Sequence, residues 1–437
     1  MSLQVVIKML SRLYATGKLS QILLFIACLA GVIGLFASRA LISLSPALGG
    51  IAIFTNPHIA QALRAYRYNK SAWGLMAVYG LLVLSYGITE NVGEWREQLI
   101  RQLPWVALPL VIGLSVPLSS KQRQWVGQAY VYVAGAVALA TSIKYFLNPA
   151  YVHRLVVDNQ NMPSALGVFH IHFGIMLALA TCFGTVLIAK VELGKFAKWT
   201  IIVAIANCIL TLHLLAYRTG LLALYATVLV AAGTLLLRRP KVAVALLLLI
   251  IVVPVVSYYS MESIRRRAVA TVDDVQHFTR HRNINNYSIA RRMAAWVNAG
   301  TLIQENPILG VGPADTFDAM MAQYDRRSFG LRYKNRVMLH NQYLHMLVGS
   351  GIIGLALWLW VLFRPLFKQH LRADPAIVSF IIVQATAMLV DSLLEMQLGL
   401  NIFLFPYVFL IVGRERATRA TELEDMNAPP QLVPSAQ

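Results

Sequence analysis

Carboxylates are scarce in this chain: 19 Asp and Glu stand against 38 Lys and Arg in 437 residues. No pair of them has a metal-ligand spacing, and none stands out as a covalent nucleophile. Charge of either sign is thin at 13%, whereas a soluble globular domain carries about 25%. Cysteine is nearly absent. Cys28, Cys182 and Cys208 all fall inside apolar runs, which argues against a disulfide framework or a zinc site. There is no Walker A loop. The alternation of a β-barrel strand is also missing, and the formal charge of +19 has no nucleic-acid motif behind it.

Long apolar runs are what the chain has in quantity. Hydrophobic residues make up 58% of it, gathered into stretches of about 17 to 25, enough to cross a bilayer as helices. The fold class expected is an all-α polytopic membrane protein of about twelve transmembrane helices. The spans fall near 20–37, 40–55, 73–89, 104–118, 125–147, 165–189, 199–215, 218–237, 242–260, 338–363, 375–394 and 397–413. The first is too long for a typical signal h-region and reads as a retained helix. Cations alternate between successive loops at about twenty to five, so both termini are expected to be cytoplasmic. The alternate face then carries Arg218, His340 and a long segment over 261–337.

The expected division is helices 1–9 over 1–260, a periplasmic loop over 261–337, helices 10–12 over 338–413 and a disordered cytoplasmic tail over 414–437. Within the loop, 285–306 reads as an amphipathic interfacial helix. Met293, Trp296, Val297, Gly300 and Ile303 recur at helical spacing, with Ser288 available as a cap and Pro307 as a stop. Residues 308–313 form a turn-rich hook expected to dip back to the membrane. The loop's many arginines call for an anionic partner.

Polar residues at a membrane boundary are costly and often functional. His340 stands where a span leaves the water-facing side, beside that cationic loop. A neutral imidazole there can accept a proton; a buried histidine satisfied by a carbonyl is the plainer reading. Arg218 sits in Ala216-Tyr217-Arg218-Thr219-Gly220, between two spans. Its planar fork suits a phosphate, though a snorkelling interfacial arginine is an equal alternative. Arg292 lies one turn from Trp296 and shares its face; with Arg291 it is a second phosphate candidate or a solvated helix face. Arg265-Arg266-Arg267 reads as an interfacial anchor. His345 is about 140° round the helix from His340 and is expected to pack elsewhere. His170 and His172 point to different faces. Asp391 and Glu395 suit orienting a histidine, binding sugar hydroxyls or pairing with loop arginines. Gly349-Ser350-Gly351-Ile352-Ile353-Gly354 matches a dinucleotide pattern, but it lies in an apolar span without a preceding strand, where small residues serve close helix packing.

These residues resemble the O-antigen ligase family. Its hallmark is His-Asn or His-Ser, nine residues, then Gly-x-x-Gly; here His340-Asn341 precedes Gly351-Ile352-Ile353-Gly354. Arg292 before Trp296, the run Glu305-Asn306-Pro307-Ile308-Leu309-Gly310-Val311-Gly312, and Arg218-Thr219-Gly220 are similar to further family elements. Many ligases have two threonines where this chain has Leu355-Ala356. The resemblance implies a GT-C-like, inverting, metal-independent glycosyltransferase without a cofactor, its active site facing the periplasm from the bacterial inner membrane. The implied donor is a polysaccharide on undecaprenyl pyrophosphate and the acceptor a lipid A–core oligosaccharide. His340 would be the general base, with Arg218, Arg292 and Arg291 binding pyrophosphate. An O-antigen polymerase, a protein O-oligosaccharyltransferase and a lipid-linked glycan transporter remain as alternatives.

Overall fold

The structure is a computed structural model that describes residues 3–157 and 160–419. Its helices are α1 (Leu3–Ala15), α2 (Lys18–Ala37), α3 (Arg39–Phe54), α4 (Ile59–Tyr66) and α5 (Lys70–Leu84). Next come α6 (Val92–Arg101), α7 (Pro104–Leu114), α8 (Ser120–Leu147), α9 (Pro149–Val157) and α10 (His170–Lys190). Then follow α11 (Lys195–Leu214), α12 (Arg218–Leu235), α13 (Pro240–Ser260), α14 (Glu262–Thr279) and α15 (Ser288–Glu305). The last are α16 (Thr316–Arg326), α17 (Gln342–Phe363), α18 (Gln369–Arg372), α19 (Pro375–Ala387) and α20 (Gln397–Tyr407). Among the described residues there is no strand.

A helix lies at each of the twelve expected spans, but only eight are long and apolar enough to cross a membrane, or up to nine if the bent pair α3 and α4 is one span. α5, α7 and α19 are shorter, at 15, 11 and 13 residues. The apolar runs around them continue into turns instead of further helix. The ends are set by local chemistry. Ser119 and Gln122 form a capping box at α8, Asn69 caps α5, and prolines open α7, α13 and α19 where a missing N–H costs nothing.

α10 is the central helix, packed by α8, α11, α12 and α19. α13 lies at the periphery and presents Leu248, Ile251, Val252 and Val255 outward, as a lipid-facing helix does. The 261–337 segment builds a second, smaller core with the start of α17. Ala290, Ala294, Ala295, Ala299 and Leu302 of α15 meet Met320, Tyr324, Leu339 and Val348. The buried face of α15 is therefore this alanine stripe, which permits close approach, and not the face of Met293, Val297 and Gly300; Val297 is exposed. Ser288 is not the cap either. The α15 N-terminus is capped from outside, where the Ile289 N–H donates to Asp274 Oδ2 on α14 at 2.6 Å.

The glycine-rich part of α17 is not an uninterrupted helix. Gly351 leaves helical geometry (φ 60°, ψ −163°), and the 307–312 hook docks against the break. Val311 N–H donates to Val348 O (2.9 Å), Gly312 N–H to Gly349 O (3.0 Å) and Ile352 N–H to Pro307 O (2.9 Å). Backbone groups freed at a break inside a membrane protein need such partners. The small residues serve loop-to-helix contact: a Cβ at Gly310 would collide with Val348 O, and one at Gly351 with Ile308 O.

The expected tail begins later than 414. Helix continues through Arg419, held by Arg414 to Asp374, by Glu415 to Arg364 and by Arg416 to the Ile112 and Ser115 carbonyls. The rest of that tail, 420–437, lies outside the described residues.

Candidate active site

α17 begins in a turn that the 388–395 segment straps in place. Asn341 Oδ1 caps the helix by accepting from Leu344 N–H, and its Nδ2 donates to Leu389 O. Gln342 N–H donates to Met388 O, while its side chain bonds Glu395 and the Leu394 N–H. Between these bonds His340 adopts φ 43°, a left-handed backbone rare for a residue with a Cβ and one that surrounding structure must enforce.

The enforced turn sets His340 Nδ1 2.9 Å from Asp391 Oδ1. The histidine side chain is 36% exposed and the aspartate 12%, so one ring edge faces the carboxylate and the other remains accessible. Burial alone would push the Asp391 pKa up. The hydrogen bond and charge of His340, with His172 and Arg292 nearby, outweigh that and hold it below the ordinary carboxylate value. Of the partners open to Asp391 in the sequence, the one it contacts is a histidine.

α15 grips this pair from both sides. Arg292 Nη1 donates to Val390 O at 2.7 Å, next to Asp391. One turn on, Trp296 Nε1 donates to Leu339 O at 2.7 Å, next to His340. Arg291 on the same helix keeps a buried Nε without a hydrogen-bond partner.

Arg218 opens α12 just after another left-handed residue, Ala216 (φ 49°). The arginine is exposed, and its Nη1 donates to Thr271 Oγ1 at 3.1 Å. Arg218, Arg292, Arg267 and Asp391 all lie close enough to His170 for their charges to act on it, so separate parts of the chain do converge. Burial lowers the Arg292 pKa, Arg218 and Arg291 lower it further, and Asp391 partly offsets them. Among the described residues neither Arg218 nor Arg292 forms a salt bridge, so both keep capacity for an anion.

The structure also adds residues. Arg267 of the expected anchor triplet turns toward Arg218; burial and then the Arg218 charge lower its pKa to about 10. It lines a cavity of about 300 Å³ with Ala216, Met162 and Leu155. Nothing in three successive arginines marks one as turned inward. His345 packs apart from the His340–Asp391 pair: its Nε2 lies 3.2 Å from Glu395 Oε2, a second histidine–carboxylate pair. Residues 393–395 form a 3-10 turn that carries Glu395 to it. His172 is buried, its Nε2 unpartnered. Among the described residues no three His, Cys, Asp or Glu side chains group as a metal site.

Residues 199–359 match a family model described as O-antigen ligase. The matched stretch includes Arg218, Arg291, Arg292 and His340. Proteins of that family are glycosyltransferase-like ligases and polymerases, and the apolar helices agree with a multi-pass membrane protein of this kind. No curated protein matches the chain.

Proposed function

We propose, from the match of residues 199–359 to the O-antigen ligase family model, that the chain transfers polysaccharide from undecaprenyl pyrophosphate to a sugar hydroxyl of lipid A–core oligosaccharide. The observation that carries this reading is the His340–Asp391 pair at 2.9 Å, with Arg292 donating to the adjacent Val390 carbonyl and forming no salt bridge among the described residues. Asp391 accepts a hydrogen bond from Nδ1–H, which leaves Nε2 as the lone-pair nitrogen, the arrangement by which a carboxylate orients a general base.

The reaction is then a single displacement. His340 Nε2 takes the proton of the acceptor hydroxyl as its oxygen bonds to the anomeric carbon. The bond from that carbon to the phosphate oxygen breaks, its electron pair leaves with the lipid diphosphate, and the anomeric centre inverts. Arg218 and Arg292, assisted by Arg291, stabilise the charge growing on the leaving group, a role a divalent metal fills elsewhere. The site faces the periplasm from the inner membrane, both termini are cytoplasmic, and the donor arrives already activated, so neither ATP nor a cofactor is required.

The test is transfer by purified protein, with undecaprenyl-pyrophosphate glycan and lipid A–core, in the presence of EDTA. Product with an inverted linkage is expected; dependence on a divalent ion would overturn the proposed arginine role. A gene deletion read on a lipopolysaccharide gel separates the acceptors. Bare core is expected, whereas core capped by one repeat would identify a polymerase.

A further inference from the structure

At the end of the bundle away from His340, three arginines come together near the C-terminus of the last helix. Arg364 and Arg414 meet carboxylates, Glu415 at 2.6 Å and Asp374. Arg416 meets none. It is 8% exposed, and its Nη1 donates only to the carbonyls of Ile112 (2.9 Å) and Ser115 at the end of α7. A helix C-terminus favours a cation, but a buried charge without a counter-ion remains costly.

Two cavities meet there. The smaller, about 290 Å³, is lined by Arg416, Arg123, Asn56, His58 and Gln61 among others. The larger, about 630 Å³, has mostly apolar walls from Val126, Leu187, Phe405 and Phe409, with Arg123 and the Arg414–Asp374 pair at its polar side. Arg123 lines both and is exposed; its side chain makes only a 3.5 Å contact to Ser120 Oγ. A pocket that holds Arg123 and Arg416 thus opens beside a larger, mostly apolar cleft. Neither cavity includes a residue of the His340 site.

We infer that the paired cavities bind an anionic phospholipid. Its phosphate sits between Arg123 and Arg416, and an acyl chain fills the cleft walled by α8, α10 and α20. Two things favour a lipid over free phosphate. The cleft is larger than the pocket that holds Arg416 and its walls are mostly apolar, so a bare anion would leave it unfilled. Its occupant also removes apolar surface from water, at about 25 cal/mol per Å², which an inorganic ion cannot do. The charge supplied by the lipid is what Arg416 lacks from the protein.

Native mass spectrometry of the full chain, released from phosphatidylcholine nanodiscs doped with phosphatidylglycerol, tests this directly. Phosphatidylglycerol should be retained over phosphatidylcholine. Arg123→Glu, which reverses an exposed charge, should lower retention at least about tenfold, the scale of one charge-assisted contact. Gly127→Leu, which fills the cleft without touching charge, should do the same; the nearest atoms to a Cβ there belong to the Leu187 side chain, at 3.7 and 3.8 Å. Glycan transfer in detergent should persist in both variants, and a circular dichroism melt establishes that they are folded. Equal retention of the two lipids, no response to either variant, or full displacement by inorganic phosphate would each overturn the proposal. So would phosphatidylglycerol retention that appears only after removal of 420–437, whose Glu422, Glu424 and Asp425 would then be the competing anion.

Discussion

Arginines stand at both ends of this helix bundle, and Arg364 at one end is held by different chemistry from Arg218 and Arg292 at the other. At the far end Arg364 meets Glu415 with both side chains almost fully buried, 8% and 9% exposed, and Ser71 adds its hydroxyl. The charge is spent on architecture: that pair ties α17 to the C-terminal helix. At the site end Arg218 bonds a threonine hydroxyl and Arg292 a backbone carbonyl. Neutral partners fix geometry while leaving positive charge in place. The proposed recruitment of a diphosphate is best served this way, because a resident carboxylate would compete with the ligand.

The difference can be broken from either side. His340→Ala removes the proposed base and should lower transfer by about 10² to 10⁴, with the far-end pair and the melting temperature unchanged; near-normal turnover by folded protein would exclude His340. Arg364→Ala should do the reverse. Stranding buried Glu415 costs about 3–5 kcal/mol, visible as a lower melting temperature, while turnover per folded molecule persists. A variant equally stable but inactive would erase the distinction. Arg218→Lys should reduce turnover about tenfold or more, since an ammonium lacks the bidentate fork; wild-type kinetics would show that charge alone suffices.

Asp391→Asn sharpens the comparison on the pH axis. The folded Asp391 pKa is depressed. Its ionised form therefore contributes stability that is present above the unfolded value near 4 and lost as pH falls through the folded one. The asparagine variant should show a shallower fall of melting temperature below about pH 4, besides slower transfer at neutral pH. Superimposable acid limbs would mean that the His340 bond contributes nothing.

Much of the fold was readable because twenty apolar residues in a row have few alternatives in water. Helix lengths were less so: nothing in 104–118 or 375–394 announces where a short helix gives way to a turn. In the site, the shared face of Arg292 and Trp296 followed from their four-residue separation. What they grip did not, since Val390 O and Leu339 O are backbone carbonyls without a sequence signature. Asp391 lies 51 residues from His340, and only the fold chooses between its possible partners. The break at Gly351 was hidden for a related reason. A glycine amid apolar residues reads the same whether a helix or a docked loop lies against it.

That break gives the spacing of the His-Asn and Gly-x-x-Gly elements a mechanical meaning. Asn341 fixes one end of the upper half of α17, and the hook fixes the other at Gly351. The nine residues between them act as a gauge block, about 13 Å long at 1.5 Å each. Adding or deleting one would turn the imidazole about 100° away from its carboxylate, leaving every functional side chain in the sequence but none of them in alignment.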